Sequence, residues 1–529
     1  MRNTVIALSC VCMLLFIFGS AATGRSRDNG TRSYTSPATV LQREYTPQQK
    51  ISEKFAIRDS LQSGASLADT LLPDTVGRVY PSAIDTGKDA EELWKYEPAQ
   101  MPNPALQNWW RGFFDPLLDS LISMAVANNY DIRMAARRMD LAKLAIKQAQ
   151  SAYWPVIAAQ AGWNSDRNSA FLGRSKSIAG TDNYFSLGVN ASWEIDVFGR
   201  VKASTDAAKT DLSIQQADYD AALVSLCSQL ADSYLQLRVY QAQLEVANRL
   251  SASQQEVLRV AEVRHECQLA SGLDVSQAKT VCLSTQATVP ALETSVAQSI
   301  NAILVLTGNE NPALASTLRI PRPIPLYSMP VDIDINANLL RRRPDVRAAE
   351  MEIASYAAQV GIAKKDFLPK LSLNASIGTE AHRFGDLFKH DALTFSVAPT
   401  LSWTIFAGMS RKYAVAQAKE QMMIGIDNYN LTVSQAAAEV DNAVTAYRNS
   451  LQRTGLLNAV LEESIKSFDY SMDQYKQGLS SFLNVVDAQI NILNYSNQLT
   501  QERGATQQSV IQLYKTLGGG WDMEKHSDK

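Results

Sequence analysis

Few residues in this chain are of the types that carry chemistry. Four histidines and five cysteines are spread over 529 residues. Cys10 and Cys12 lie in the first hydrophobic run, which leaves Cys227, Cys267 and Cys282. Their spacings match no zinc pattern, and three thiols cannot all pair within one chain. His265-Glu266-Cys267 sets three metal-ligating types side by side, with no partner cluster to complete a coordination shell. Arg341-Arg342-Arg343 could hold a phosphate, but Pro344 and Asp345 directly after it mark a helix start with charged neighbours. No glycine-rich phosphate loop and no convincing Ser/His/Asp set is evident. The residues point away from an enzyme and call for no cofactor or metal.

The charge balance points away from a nucleic-acid coat as well. Lys+Arg 50 against Asp+Glu 53 leaves a net charge of -3. Residues 1–22 read as an export signal, with Arg2 at the start, an apolar run from Val5 to Phe18 and small residues for cleavage after Ala22. The run is shorter than the ~20 residues of a spanning helix. Leu8-Ser9-Cys10 comes too early for a convincing lipoprotein cleavage site. Beyond the signal no long uncharged apolar stretch follows, leaving either a soluble exported protein or a membrane β-barrel.

The elements behind these residues are written twice. Asp131, Ala135, Ala149 and Pro155 recur as Asp345, Ala349, Ala363 and Pro369 at an offset of 214. Trp193, Ile195, Val275 and Ala278 recur as Trp403, Ile405, Val485 and Ala488 at 210. A shortened loop in the second copy accounts for the drift. Each half reads helix, strand, loop, strand, long helix, turn, helix. The boundaries expected are a first repeat over 106–311, a Pro-rich connector over 312–335, a second repeat over 336–517 and a tail over 518–529. Residues 23–105 read as a poorly ordered extension.

Strands are expected at about 156–163, 184–197, 370–379 and 395–406. From Phe185 to Val197 the odd positions are all apolar and the even ones all polar or glycine, the period-two pattern of a sheet with one apolar face. Such strands have about the 9–11 residues that cross a bilayer at a tilt, and Trp163, Trp193 and Trp403 stand where interfacial aromatics belong. A soluble sandwich also alternates, but four strands would make it a poor core. Open edges are not tolerated in lipid and four strands cannot close a barrel, so membrane insertion would require three chains and twelve strands.

Val201 to Cys267 contains neither proline nor glycine, and Arg411 to Gln477 has the same character, interrupted by Gly425. Each run is ~100 Å of helix at 1.5 Å per residue. The flanking stretches Pro116–Ala152, Leu273–Thr307, Asn336–Asp366 and Asn484–Leu517 are about half as long. Two half-length helices stacked on each long one suit a hollow cylinder, although a solid bundle would show the same packing seam.

Several motifs together resemble the outer membrane factor family, the TolC-like and NodT-type efflux proteins. They are Trp110 with Phe114-Asp115-Pro116, the run Trp193-Glu194-Ile195-Asp196-Val197-Phe198-Gly199-Arg200, Arg342-Arg343-Pro344-Asp345-Val346-Arg347, Trp403-Thr404-Ile405-Phe406-Ala407-Gly408 and Leu517-Gly518-Gly519-Gly520-Trp521. The resemblance implies a mainly α fold with a membrane β-barrel: a homotrimer with a twelve-stranded barrel in outer-membrane lipid and a long periplasmic helical barrel. It implies a passive channel of a tripartite efflux system, working with a periplasmic adaptor and an inner-membrane pump of RND type. The alternatives are an exit duct for type I protein secretion and, in another class, a periplasmic coiled-coil adaptor without a pore.

On this reading Asn164–Asn183 and Glu380–Thr394 are extracellular loops, and the helix turns near Gly272 and Gly478 are the periplasmic tips. By resemblance Asp487 falls on a constriction acid, Tyr475 on a gate aromatic, and Asn484 on a position that is often a second acid. Three-fold symmetry would turn one carboxylate into a ring that attracts cations. The plainer readings are a helix N-terminal charge for Asp487 and ordinary packing for Tyr475.

Overall fold

The computed structural model describes residues 104–168, 180–308, 312–329 and 340–520. All of these belong to one compact unit. The signal sequence and nearly all of the 23–105 extension lie outside the described residues, as does the segment between the first two strands.

After a helical turn at Pro104–Gln107 and a 3-10 turn at Trp109–Phe113, the first half runs α1 (Pro116–Asn128), α2 (Tyr130–Ser151), β1 (Val156–Asn168), β2 (Gly180–Ile195), α3 (Arg200–Glu266) and α4 (Gly272–Thr307). A short α5 (Pro312–Arg319) opens the connector, so that segment is not wholly irregular. The second half runs α6 (Pro344–Lys365), β3 (Lys370–Ala381), β4 (Leu393–Ser402), α7 (Ser410–Lys476) and α8 (Phe482–Thr516).

The long helices α3 and α7 have 67 residues each. Gly425 and Gly455 sit inside α7 without ending it. Gly425 has a packing reason: a Cβ there would lie 2.7 Å from the Tyr356 ring of α6. Along α3 pack α2, α4, α6 and α8, and along α7 pack α6 and α8. The side-by-side order is therefore α2–α3–α6–α7 toward the sheet and α4–α3–α8–α7 toward the turns. In both layers α7 is one edge.

The half-length helices meet end to end at the same joint in both repeats. The expected single helix Pro116–Ala152 is broken at Asn129, whose ψ of 134° is extended. Its side chain accepts from the N–H groups of Asp131 (2.7 Å) and Ile132 (3.2 Å) and donates to the Leu306 carbonyl at 2.9 Å, at the end of α4. An asparagine that caps one helix and ties off another satisfies orphan groups of both. At an offset of 214, Arg343 precedes α6 and donates to the Thr516 carbonyl of α8 at 3.1 Å. The same guanidinium holds Asp345 (2.7 Å) and Glu439 of α7 (2.7 Å). The arginine run is thus a structural joint.

The four strands form one antiparallel sheet in the order β1-β2-β3-β4. The first hairpin is longer than expected, with β1 reaching Asn168 and β2 starting at Gly180. In the second, β4 ends at Ser402, short of the expected Phe406. The register aligns Ile157, Ala191, Ala375 and Val397, then Ala159, Val189, Ile377 and Phe395. One face is consequently apolar on every strand. The other carries Gln160, Gly188, Gly378 and Thr394 in one row and Asn190, Ser376 and Ser396 in the next. A Cβ on Gly378 would lie 2.6 Å from the Leu187 carbonyl, so glycine is what lets β2 and β3 approach on the polar face.

Midway along the helices lies the main core. Trp109 stacks on Tyr514 at 5.7 Å, and Phe113 meets Tyr327 edge-on at 5.2 Å. Gly520 donates to the Leu106 carbonyl at 2.9 Å, so the expected tail begins packed against the N-terminal turn. Buried Arg238 joins Gln241 (2.6 Å), Tyr234 (3.1 Å) and the Ile320 carbonyl (3.1 Å), while Tyr234 donates to Asp115. This network fastens the entry segment and the connector to α3.

Candidate channel site

Two places follow from the sequence reading: the helix turns farthest from the sheet and the apolar face of the sheet itself. The two turns are built alike. Gln477-Gly478 and Cys267-Gln268 each follow a long helix, and Ser481 and Ser271 cap the next one. Gly478 has φ +76°, as a glycine in a helix-ending turn should. In the first turn the left-handed residue is Gln268, at φ +58°. The expectation for Gly272 is corrected, because it opens α4 four residues further on and has no left-handed backbone.

The turns hold a small apolar cluster of their own. Val257 and Ala261 of α3, Ala278 and Val281 of α4, Met472 and Tyr475 of α7, and Phe482, Val485 and Val486 of α8 are all buried there. Tyr475 lies at its centre, 5.0 Å from the Phe482 ring, with the Arg264 guanidinium 4.7 Å over its other side. Arg264 also donates to the Lys476 carbonyl at 2.8 Å. The Tyr475 phenol donates to Asp274 Oδ2 at 3.3 Å, and the other carboxylate oxygen accepts from Ser271 at 2.8 Å. Burial pushes the Tyr475 phenol up, Asp274 adds to this, and Arg264 opposes it.

Asn484 and Asp487 lie outside this cluster. Both are exposed on the first two turns of α8, on a face shared with Leu483 and Ile490. Asn484 donates to Ser480 at 2.8 Å, and Asp487 makes no hydrogen bond or ion pair among the described residues. Sequence reasoning missed Asp274 and Arg264. The 210 offset could have found the first, since it maps Asn484 onto Asp274. The acid missing from the second turn is present in the first.

Between the tip cluster and the main core the helix seams turn polar. Gln243, Ser251 and Gln254 are buried on α3, Thr285 on α4, and Gln489, Ser496 and Glu502 on α8. The Gln254 amide and the Thr285 hydroxyl have no hydrogen-bond partner among the described residues. Pro290 interrupts α4 in the same stretch. The tip is therefore a separate apolar unit joined to the core by a buried polar section that leaves some groups unsatisfied.

At the sheet, Trp193 and Trp403 donate from their indole N–H to the Tyr153 (3.0 Å) and Phe367 (2.9 Å) carbonyls, the same contact in each repeat. Both mark the helix-side end of the apolar face, and Trp403 lies just past β4. Trp163 stands opposite Phe185 within β1, nearer the far end. Among the described residues no group of His, Cys, Asp and Glu could hold a metal ion. Cys267 is exposed at the first turn, while burial pushes the Cys227 thiol up to about 12.

α4 is long and apolar enough to pass for a membrane span by length and composition, yet Lys279, Pro290 and Glu293 interrupt its apolar run. Its exposed apolar side lies at the free edge of the helix layer.

A sheet with one apolar face, carried on paired helices of ~100 Å, defines a membrane-anchored channel of the TolC type rather than a catalyst. The family profile described as "Outer membrane efflux protein" matches residues 121–309 and 337–519, well over half of the chain, and the chain belongs to that family. It is 29% identical over 437 residues to the probable efflux pump outer membrane protein TtgC of Pseudomonas putida, covering 81% of this chain and 89% of that one. It is 28% identical over 455 residues to the pyoverdine export outer membrane protein OpmQ of Pseudomonas aeruginosa, covering 84% and 94%. The solved outer-membrane channel OprN superimposes with a TM-score of 0.71 at 27% identity, over 83% of this chain and 98% of that one. VceC of Vibrio cholerae, at 24% identity and a TM-score of 0.70 over 78% and 99%, shares the fold.

The protein is thus the outer-membrane channel of a tripartite efflux system, with its long helices in the periplasm, and it is not an enzyme.

Proposed function

We propose that three copies close one channel, with a twelve-stranded barrel above a helical tube sealed at the periplasmic turns. The observation that carries this reading is the pair of open edges. Among the described residues β1 and β4 each have only one partner, and β4 is exposed along its whole length. The helix layer ends in the same way, with exposed Met134, Leu141 and Leu144 on α2 at one edge and Leu431, Leu451 and Leu456 on α7 at the other. Unpaired strand edges and apolar flanks at matching ends call for copies of the same chain.

In this arrangement the exposed face of α8 with Asp487, Asn484 and Leu483 lines the constriction, and Asp487 supplies a ring of three acids. Tyr475 acts from behind it, tying the α7/α8 turn to Asp274 of the α3/α4 turn. An adaptor engages both turns, where Leu269, Leu273, Leu479 and Leu483 are exposed. A pump of the RND class supplies the substrate. The relatives, among them toluene, solvent, antibiotic and pyoverdine exporters, favour small toxic or chelating molecules over secreted protein.

Native mass of the detergent-extracted protein, followed by planar-bilayer recording, tests the proposal. A three-chain particle with discrete, cation-blocked conductance steps is expected. A single-chain particle extractable in plain buffer would end the channel reading.

A further inference from the structure

The β3–β4 connection does not continue the line of its strands. Two 3-10 turns, Phe384–Phe388 and His390–Ala392, fill it. The first turns back along the sheet, where the Phe384 ring meets Phe185 edge-on at 5.8 Å and Phe388 meets Phe384 at 6.1 Å. Phe185 belongs to the apolar face, opposite Trp163. The rings therefore extend that face past the end of β3, alongside β2, rather than covering the polar one. Leu387 is 3% exposed and pins the turn, while Phe384 and Phe388 remain 63% and 74% exposed. An ion pair between Lys389 and Asp386 at 2.7 Å and a backbone bond from Asp386 N–H to the Arg383 carbonyl at 3.0 Å hold the shape.

Two phenylalanines held outward would be a liability in water, since each ring offers on the order of 150–250 Å² for burial. At the boundary between acyl chains and headgroups they are at home, with Arg383 and Lys389 on either side at headgroup level. We propose that Phe384–Phe388 is a lipid anchor in the outer leaflet, continuous with the apolar face of the sheet, and that this loop is no lid over the pore. The inference rests on the apolar face being the lipid side of the barrel.

Site-directed nitroxide labelling separates the two claims. Cys267→Ser removes the exposed native thiol, and single labels are placed through Phe388→Cys, Ile377→Cys on the apolar face and Ser376→Cys on the polar face. The protein is reconstituted in phosphatidylethanolamine/phosphatidylglycerol vesicles. Collision with oxygen is compared with collision with a water-soluble nickel chelate. At Phe388 the oxygen-to-nickel ratio should match that at Ile377 and exceed that at Ser376 several-fold. A nickel-dominated label at Phe388 beside a lipid-exposed Ile377 overturns the anchor and leaves the barrel standing. Low collision with both reagents at Phe388 means the rings pack on protein, and also overturns it. A water-exposed Ile377 overturns the barrel orientation itself. The double variant Phe384→Ser/Phe388→Ser should conduct as the parent does; a raised conductance would make the loop a lid.

Discussion

Tyr475 and Asp274 are 201 residues apart in the chain, and the phenol of one donates to the carboxylate of the other at 3.3 Å, joining the two helix turns. On each residue a second group fixes its position, Arg264 over the ring and Ser271 on the acid. The bond is part-buried and long for its type, which holds it to ~1 kcal/mol. Tyr475→Phe should therefore shift the closed–open balance about fivefold toward open without loss of folding. Single-channel open probability reads this directly, and an unchanged value removes the bond from gating. Asp274→Ala should do at least as much as Tyr475→Phe, because it also removes the carboxylate to which Ser271, the cap of α4, donates.

Asp487 is exposed and makes no ion pair among the described residues, so its substitution costs the fold little. Replacing it by alanine should raise conductance at rest and weaken block by divalent cations. Parallel recordings of the parent and Asp487→Ala with magnesium on one side decide the matter. Identical block in both places the constriction elsewhere on α8.

Stability should depend on pH through α3. Burial pushes the Asp220 carboxyl up to about 7, with Arg347 pulling it down, and pushes Asp232 up to about 6 against Lys515. In the unfolded chain such groups titrate near 3.8. Between these limits the folded state keeps protons that the unfolded state has released, so these two groups make stability fall as pH rises through the window and level off above it. Asp220→Asn, neutral throughout, should flatten the slope of Tm between pH 5 and 7.5. A slope as steep as the parent's would show that Asp220 does not titrate there.

Arg343 binds Asp345, Glu439 and the Thr516 carbonyl at once, so its loss uncouples α6, α7 and α8. Arg343→Ala should cost on the order of 3 kcal/mol, because acids are left facing a vacated, partly buried site. Arg343→Lys should recover only part, lacking the fork that spans two partners. Thermal dissociation of the assembled particle ranks the three proteins, and equal midpoints would reduce the joint to a surface contact.

Much of this architecture is legible in the chain because it repeats and because its elements are long. The alternation from Phe185 to Ile195 has no other simple reading, and neither does a run from Val201 to Cys267 free of proline and glycine. What escaped depends on context rather than composition. Asn164 to Asn168 stay in β1 although polar, since pairing with β2 continues past the apolar band. Gln268 takes a left-handed backbone that glutamine does not announce, imposed by a turn whose geometry its twin at Gly478 defines. Asn129 did carry a signal, a capping residue two places before Asp131, inside a stretch otherwise uniform enough to pass for one helix. The partnership of Tyr475 with Asp274 could not be read at all, because it joins separate repeats through tertiary packing.

The open strand edges also govern how the protein reaches its membrane. A lone copy exposes a row of unpaired backbone groups on β1 and another on β4, each a template for any extended chain it meets. Its hazard is therefore greatest before assembly, and its maturation must speed up with concentration. Such a protein is genetically fragile in a particular way. A copy that folds but cannot offer β4 would still occupy a place beside normal ones. In the proposed ring of three copies, with half of them defective, only about one-eighth of the rings would be sound. The harm of one bad allele would exceed its share of the protein made.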